Sequence, residues 1–260
     1  MHRRAKLALA LSLLGLVVLT GCNKLRARDQ LNKGVRAYKA GQFETAISHF
    51  QRSIELDPKL LNARIYLATA YASQFVPGSP SEENKRLGLS AIREFGRVLE
   101  ADPNNLTALA YIASLYYGMT DFDKAKEFRR RLIQVDPQNP EHYYSIGVID
   151  WTLAYKPRME LKNKLGLRPD QPLPARERRT LAEQNSAVVE EGVEMLEQAL
   201  KINPKYVDAI AYLNLMYREK ADIVDDPQER EHYLDLADEM FDRQKKLREE
   251  LQATPATPAQ

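Results

Sequence analysis

The chain has 260 residues, a single cysteine and 38 Lys and Arg against 36 Asp and Glu. One cysteine excludes an intramolecular disulfide and any cysteine-based metal site, so stability must come from packing. A near-neutral balance without a concentrated basic face points away from nucleic acid as a partner.

The start, MHRRAK, is basic, and Leu7 to Thr20 is an apolar run of 14 residues without a charge. That run is short for a bilayer span and right for the core of a signal peptide. Leu19-Thr20-Gly21-Cys22 follows, and it resembles the lipobox of bacterial lipoproteins. The resemblance implies a signal peptide over 1–21, cleavage before Cys22 and a diacylglyceryl group on its sulfur. It implies a chain lipid-anchored in the cell envelope. Because Asn23 and not aspartate follows the cysteine, it favours the outer membrane, facing the periplasm, where the host has two membranes. Loss of Arg3, Arg4 and Lys6 with the signal leaves 35 Lys and Arg against 36 acids. Lys24, Arg26 and Arg28 then either lie near headgroups, each adding about 1 kcal/mol over anionic lipid, or form a solvated helix start.

From Ala27 to Leu60 the sequence reads as two short helices broken at Gly41. Leu31, Val35 and Tyr38 recur at helical spacing before the break, and Phe43, Ala46, Ile47, Phe50 and Ile54 after it. Asp57-Pro58 stops the second helix, since proline removes a backbone donor and disfavours helical geometry in the residue before it. Gly34 and Ala46 let the two helices approach closely, with Phe50 filling the gap beside them. Comparable stops recur at Pro103, Pro137 and Pro204, at spacings of 45, 34 and 67 residues. Twelve places before the stops stand Ala46, Ala91, Ala125 and Gly192, and the first helices carry Gly34, Ala68, Ala113 and Gly147.

This order of small, small, aromatic and proline resembles the tetratricopeptide repeat and its 34-residue period. The resemblance implies an all-α, right-handed solenoid of about five helical hairpins, over 27–60, 61–105, 106–139, 140–206 and 207–250, within a domain of 22–252. The aromatic place holds Arg129 in the third repeat and Leu196 in the fourth. The fifth, with Ala237 and Phe241 in its second helix, departs at Asn214 and lacks the closing proline, as suits a terminal unit.

Three insertions interrupt the period. In the second repeat, 76–86, Ser79-Pro80-Ser81-Glu82 reads as a helix start with Ser79 as the cap, and Asp226-Pro227-Gln228-Glu229 repeats that signal in 222–232. Thr120 reads as the cap of the third repeat's second helix, and Asn139-Pro140 opens the fourth repeat. The largest insertion, about 155–185, holds Pro157, Pro169, Pro172 and Pro174, and from Lys156 to Asn185 eight basic residues face four acidic ones. It reads as an excursion over about 156–175 followed by a helix over about 176–202. Lys156, Arg158, Lys162, Lys164 and Arg168 make it either a contact surface for an acidic partner or a solvated loop. The tail, 253–260, has no apolar face and reads as disordered.

In tetratricopeptide stacks the first helices line a concave groove. The resemblance places Leu31, Val35, Tyr38, Asn62, Ile65, Thr69, Ser114, Tyr117, Tyr144, Val148, Trp151, Leu215 and Arg218 on it. Tyr38 and Trp151 have a second reading as core residues displaced by one place, because Ala37 and Asp150 stand where an inward aromatic is usual. Leu31 and Val35 occupy places where a carboxylate-clamping lysine and asparagine set would begin, so binding of chaperone tails is not expected.

Catalytic patterns are absent from the sequence. His2, His49, His142 and His232 are scattered, and no glycine-rich phosphate loop or nucleophile elbow occurs. Glu190-Glu191 and Asp225-Asp226 read as polar faces or caps. Asn105-Leu106-Thr107 fits a glycosylation acceptor but reads as a helix start. The expectation is a membrane-anchored scaffold that binds a protein or peptide in envelope assembly or secretion. No enzyme activity, cofactor, metal or small-molecule substrate is expected. A second reading is a regulatory or catalytic subunit acting on cell-wall glycan or peptide through 156–185.

Overall fold

A computed structural model describes residues 22–253 of the chain. The stretch 1–21, expected to be a signal peptide, and most of the expected tail lie outside the described residues. Among the described residues there are ten helices and no strand. These are α1 (22–39), α2 (Phe43–Leu56), α3 (Leu61–Ala72), α4 (Glu82–Ala101), α5 (Leu106–Gly118), α6 (Phe122–Val135), α7 (Pro140–Lys164), α8 (Ala175–Ile202), α9 (Val207–Ala221) and α10 (Pro227–Ala253). The chain divides into unit one, Met1–Phe128, and unit two, Arg129–Gln260, with the division inside α6.

The recurring prolines make one recurring turn. Leu60, Asn105, Asn139 and Tyr206 each donate a backbone N–H to the carbonyl of Asp57, Asp102, Asp136 or Asn203, three residues earlier. Proline sits second in each turn, where its fixed φ fits, and pushes the residue before it out of the helical region. Asp57, Asp102 and Asn203 accordingly share φ of −143°, −138° and −128°.

Close approach follows from the small residues. The glycines and alanines singled out at the two recurring places, Gly34, Ala68, Ala113 and Gly147, and Ala46, Ala91, Ala125 and Gly192, are all buried. A Cβ on Gly34 would lie 2.5 Å from the Phe50 ring, and one on Gly147 2.5 Å from Leu196. Leu196 therefore does in unit two what Phe50 does in unit one. Asn214 breaks the pattern for a physical reason: its buried amide donates to the carbonyl of Ala237 and accepts from Arg218 Nε, tying α9 to α10.

Several sequence-based boundaries shift. Helix α1 already includes Cys22, so the stretch that carries Lys24, Arg26 and Arg28 is helical, with all three exposed. Ser81 and not Ser79 caps α4, accepting from the N–H of Asn84. The preceding loop is held by Asn84, whose side chain bonds the backbone of Val76 at both N and O and the carbonyl of Ser79. Thr120 is not the cap of α6. It has φ of 60°, and Asp121 accepts from the N–H of Lys124 instead. Thr120 ends α5 as Gly41, with φ of 73°, ends α1: the next residue in each case donates back five places, Asp121 to Tyr116 and Gln42 to Ala37. Asn105 caps α5, accepting from Ala108 at 3.0 Å, which bears out the helix start.

The largest correction concerns the expected excursion. Helix α7 runs through Pro157 to Lys164, so only 165–174 is irregular. Proline inside a helix costs about 3 kcal/mol, and the helix nevertheless continues past it, with Ala154, Arg158 and Lys162 all buried. With α8 of 28 residues, the insertion lengthens both helices of a hairpin.

Candidate functional site

In unit one, Leu31, Val35 and Tyr38 pack half-buried against a core of Ala37, Ala46, Phe50, Leu67 and Ala70. Tyr38 bonds Ser73 Oγ at 2.8 Å through its hydroxyl and meets Phe43 edge-on. Ile65 and Thr69 are half-buried and Asn62 and Ser114 exposed, and Tyr117 is 42% exposed against Phe122. These side chains keep an apolar and aromatic surface accessible on α1, α3 and α5.

In unit two, Tyr144 and Trp151 belong to a longer run of rings. Tyr144 meets Tyr206 at 4.9 Å and Tyr212 at 5.6 Å, and Trp151 meets Tyr212 edge-on at 5.4 Å and stacks on Tyr155 at 4.8 Å. Tyr206 bonds Glu141 through its hydroxyl, and burial, then this carboxylate, pushes its phenol well above the usual range. Val148 and Leu215 are half-buried. Trp151 packs on the core as well as lining α7, with its indole N–H buried and without a partner. Sequence reasoning missed Tyr155, Tyr206 and Tyr212, although Tyr212 stands two places before Asn214 as Tyr66 and Tyr111 stand two places before Ala68 and Ala113.

The basic segment behaves unlike a contact loop. Arg158 and Lys162 are 7% and 0% exposed. Arg158 pairs with Glu219 at 2.6 Å and Asp222 at 3.0 Å, while Lys162 reaches Asp222 at 2.5 Å and the carbonyl of Pro169 at 2.7 Å. Arg178 and Arg179 both hold Asp225. The basic excess of one insertion thus neutralises the acids of the other. Lys156, Lys164 and Arg168 stay exposed, Arg168 against Asp170. Burial raises the pKa of Glu219 against the pull of Arg158, and lowers that of Lys162 against the pull of Asp222. For Arg158 the two carboxylates outweigh burial, and its pKa is raised. The complementary signal was present in the sequence as Glu219, Asp222 and Asp225.

Residues 89–146 match the family profile described as tetratricopeptide repeat. That match covers the stretch from the middle of α4 to the first turns of α7. Residues 178–253 also match the profile of the plant-specific mitochondrial import receptor subunit TOM20. Among solved structures, MamA residues 41 to the end from Desulfovibrio magneticus RS-1 is similar at 16% identity, with 88% of this chain and 98% of that one covered and a TM-score of 0.58. Another crystal structure of MamA is similar at 16% identity, over 85% of this chain and 94% of that one, with a TM-score of 0.55. YrrB, described as a tetratricopeptide-repeat protein with an unusual peptide-binding site, is similar at 13% identity, over 86% and 90%, with a TM-score of 0.52. These likenesses fix the fold, an all-α solenoid of helical hairpins. No curated protein sequence matches the chain. Among the described residues no group of His, Cys, Asp or Glu could hold a metal ion, and no helix is long and apolar enough to cross a membrane.

Proposed function

We propose that this tetratricopeptide-repeat chain is a scaffold that binds a protein or peptide through the inward side of its first helices, and that Cys22 anchors it to a membrane. The observation that carries the docking role is the exposed aromatic and apolar surface on α1, α3 and α5, above all Tyr117 at 42% exposure. A large ring left in water on a first helix is what a binding surface requires, and Tyr38 and Trp151 stand half-buried at the same place of their repeats. The peptide-binding site named for the structurally similar YrrB supports the reading. Truncation of an exposed hot spot costs about 2 kcal/mol or more of binding and little stability. Tyr117→Ala is therefore expected to weaken partner binding without moving Tm, and undiminished binding together with a lowered Tm contradicts the role.

The anchor reading rests on the apolar run before Leu19-Thr20-Gly21-Cys22, and Cys22 is exposed and free. It places the protein in the cell envelope, at the outer membrane facing the periplasm in a two-membrane host, working in envelope assembly or secretion. Cys22→Ser should abolish labelling by radioactive palmitate and release the protein from membranes or leave it unprocessed. Persistent labelling of the serine variant refutes the anchor.

The glycan-acting alternative has less support, because Arg158, Lys162, Arg178 and Arg179 are already held by acids of the same chain.

A further inference from the structure

Helix α1 carries a positive charge that the balance of the whole chain hides. Lys24, Arg26, Arg28, Lys33, Arg36 and Lys39 stand on it against Asp29 alone, whereas from Ala40 onward 29 Lys and Arg face 35 Asp and Glu. The basic excess of the largest insertion is cancelled by Glu219, Asp222 and Asp225, and that of α1 is not. All six of its cations are exposed. Only Lys33 has an acidic partner among the described residues, Asp29 at 2.8 Å.

The helical period sorts these residues by side. Cys22, Leu25, Arg26, Asp29, Lys33 and Arg36 recur at intervals of three and four and share one face, and each of them is exposed. Leu25, at 72%, is the most exposed large apolar side chain among the described residues. Buried Ala27 and Gly34, and Leu31, Val35 and Tyr38 packed on the core, leave from the other side of the helix. An apolar side chain in water amid unpaired cations is the composition of a segment that lies in a membrane interface, where apolar burial and attraction to anionic lipid add together.

We infer that this outer face of α1 lies on an anionic lipid leaflet, with Leu25 entering the headgroup boundary and Arg26 and Arg36 over the phosphates. The inference rests on the reading of Cys22 as a lipid anchor and deepens it: the lipid tethers the chain, and the face decides which side of unit one meets the membrane. An acidic protein would satisfy the same cations. Cys22, however, stands one turn from Leu25 on the same face, so an anchored chain has the bilayer within reach of α1 at all times. Contact by this face leaves Leu31, Val35 and Tyr38 turned away from the lipid, free for the docking role of the first helices.

The test uses the full chain, purified from membranes and returned to vesicles of phosphatidylcholine with or without phosphatidylglycerol. Mass spectrometry first reports whether Cys22 bears the diacylglyceryl group, which decides the anchor by itself. With that sulfur blocked, Asn32→Cys, exposed on the same side of α1, or Arg52→Cys, exposed on α2, takes a nitroxide label. With phosphatidylglycerol the label at 32 should become more accessible to oxygen and less to a polar nickel chelate, while the label at 52 stays in water. The contact should fade in pure phosphatidylcholine, and in salt that shortens the Debye length to about 3 Å. Arg26→Gln with Arg36→Gln should lower the ratio of membrane-bound to free label about thirtyfold, at about fivefold for each basic residue. Arg52→Gln with Arg86→Gln, an equal loss of exposed charge, should leave that ratio unchanged. A label at 32 as wet as the label at 52, equal contact without phosphatidylglycerol, or unchanged contact in the α1 double variant overturns the inference. Where Cys22 proves unmodified the anchor fails, and the label at 32 in the full-chain Cys22→Ser variant with added vesicles decides the contact separately.

Discussion

Gly34 and Gly96 are both helical glycines, yet their surroundings set opposite signs for the same substitution. A Cβ on Gly34 meets the Phe50 ring at 2.5 Å, whereas nothing lies within 4 Å of one on Gly96. Gly34→Ala should destabilise by about 1 to 3 kcal/mol through overpacking, and Gly96→Ala should stabilise by about 0.5 to 1 kcal/mol through helix propensity. Denaturant midpoints of the two variants measure this, and a stabilised Gly34→Ala would mean the Phe50 ring is free to move. At this scale the small residues were legible from their recurrence, because a helix contact that excludes a Cβ leaves its trace in residue type. Caps were less so. Ser79, Ser81, Thr120 and Asp121 all carry capping oxygens, and only backbone geometry selects Ser81 and Asp121. Thr120 was misread because a β-branched residue at φ of 60° gives no local signal of a left-handed turn.

At the level of elements, the hairpins with their proline turns were legible and the fourth hairpin was not. Four prolines between 156 and 175 argue for irregular chain, and propensity alone cannot foresee that the helix runs on through Pro157 and pairs Arg158 and Lys162 with acids about 60 residues away. Tertiary pairing overrode local preference. Breaking one partner of a buried ion pair strands the other charge, so Arg158→Ala should destabilise by about 3 to 5 kcal/mol. Glu219, whose pKa burial already raises, would lose its main opposing charge. A carboxyl with a folded pKa above its unfolded one binds more protons folded than unfolded, so its contribution to stability falls as pH rises through that interval. The deficit of Arg158→Ala should therefore be full at pH 7 and narrow on acidification toward the carboxylate range, measured as the difference in denaturation free energy between wild type and variant. A deficit that widens on acidification would mean Glu219 is not the stranded group.

For the whole molecule, the repeat period made the succession of hairpins readable across the described residues apart from the fourth, while the docking surface was readable only through the resemblance. Alternation of helix, turn and helix dictates which residues are small or buried, but a residue that faces water inside a groove obeys no packing rule. Trp151 shows the difficulty: at one helical position it both lines α7 and packs against Tyr155 and Tyr212. Tyr117 is the cleaner probe because it is more exposed and its ring partner, Phe122, belongs to the neighbouring helix. The direct measurement replaces single residues by a photo-crosslinking phenylalanine analogue in the native host. Tyr117 and Asn62 represent the first helices, and Arg52 and Arg86, both exposed, represent the second helices. Adducts to one discrete protein from Tyr117 and Asn62, with none from Arg52 or Arg86, are expected for a scaffold that works through its first helices. Adducts confined to Arg52 and Arg86, or none from any position while the protein is fully expressed and folded, would contradict it.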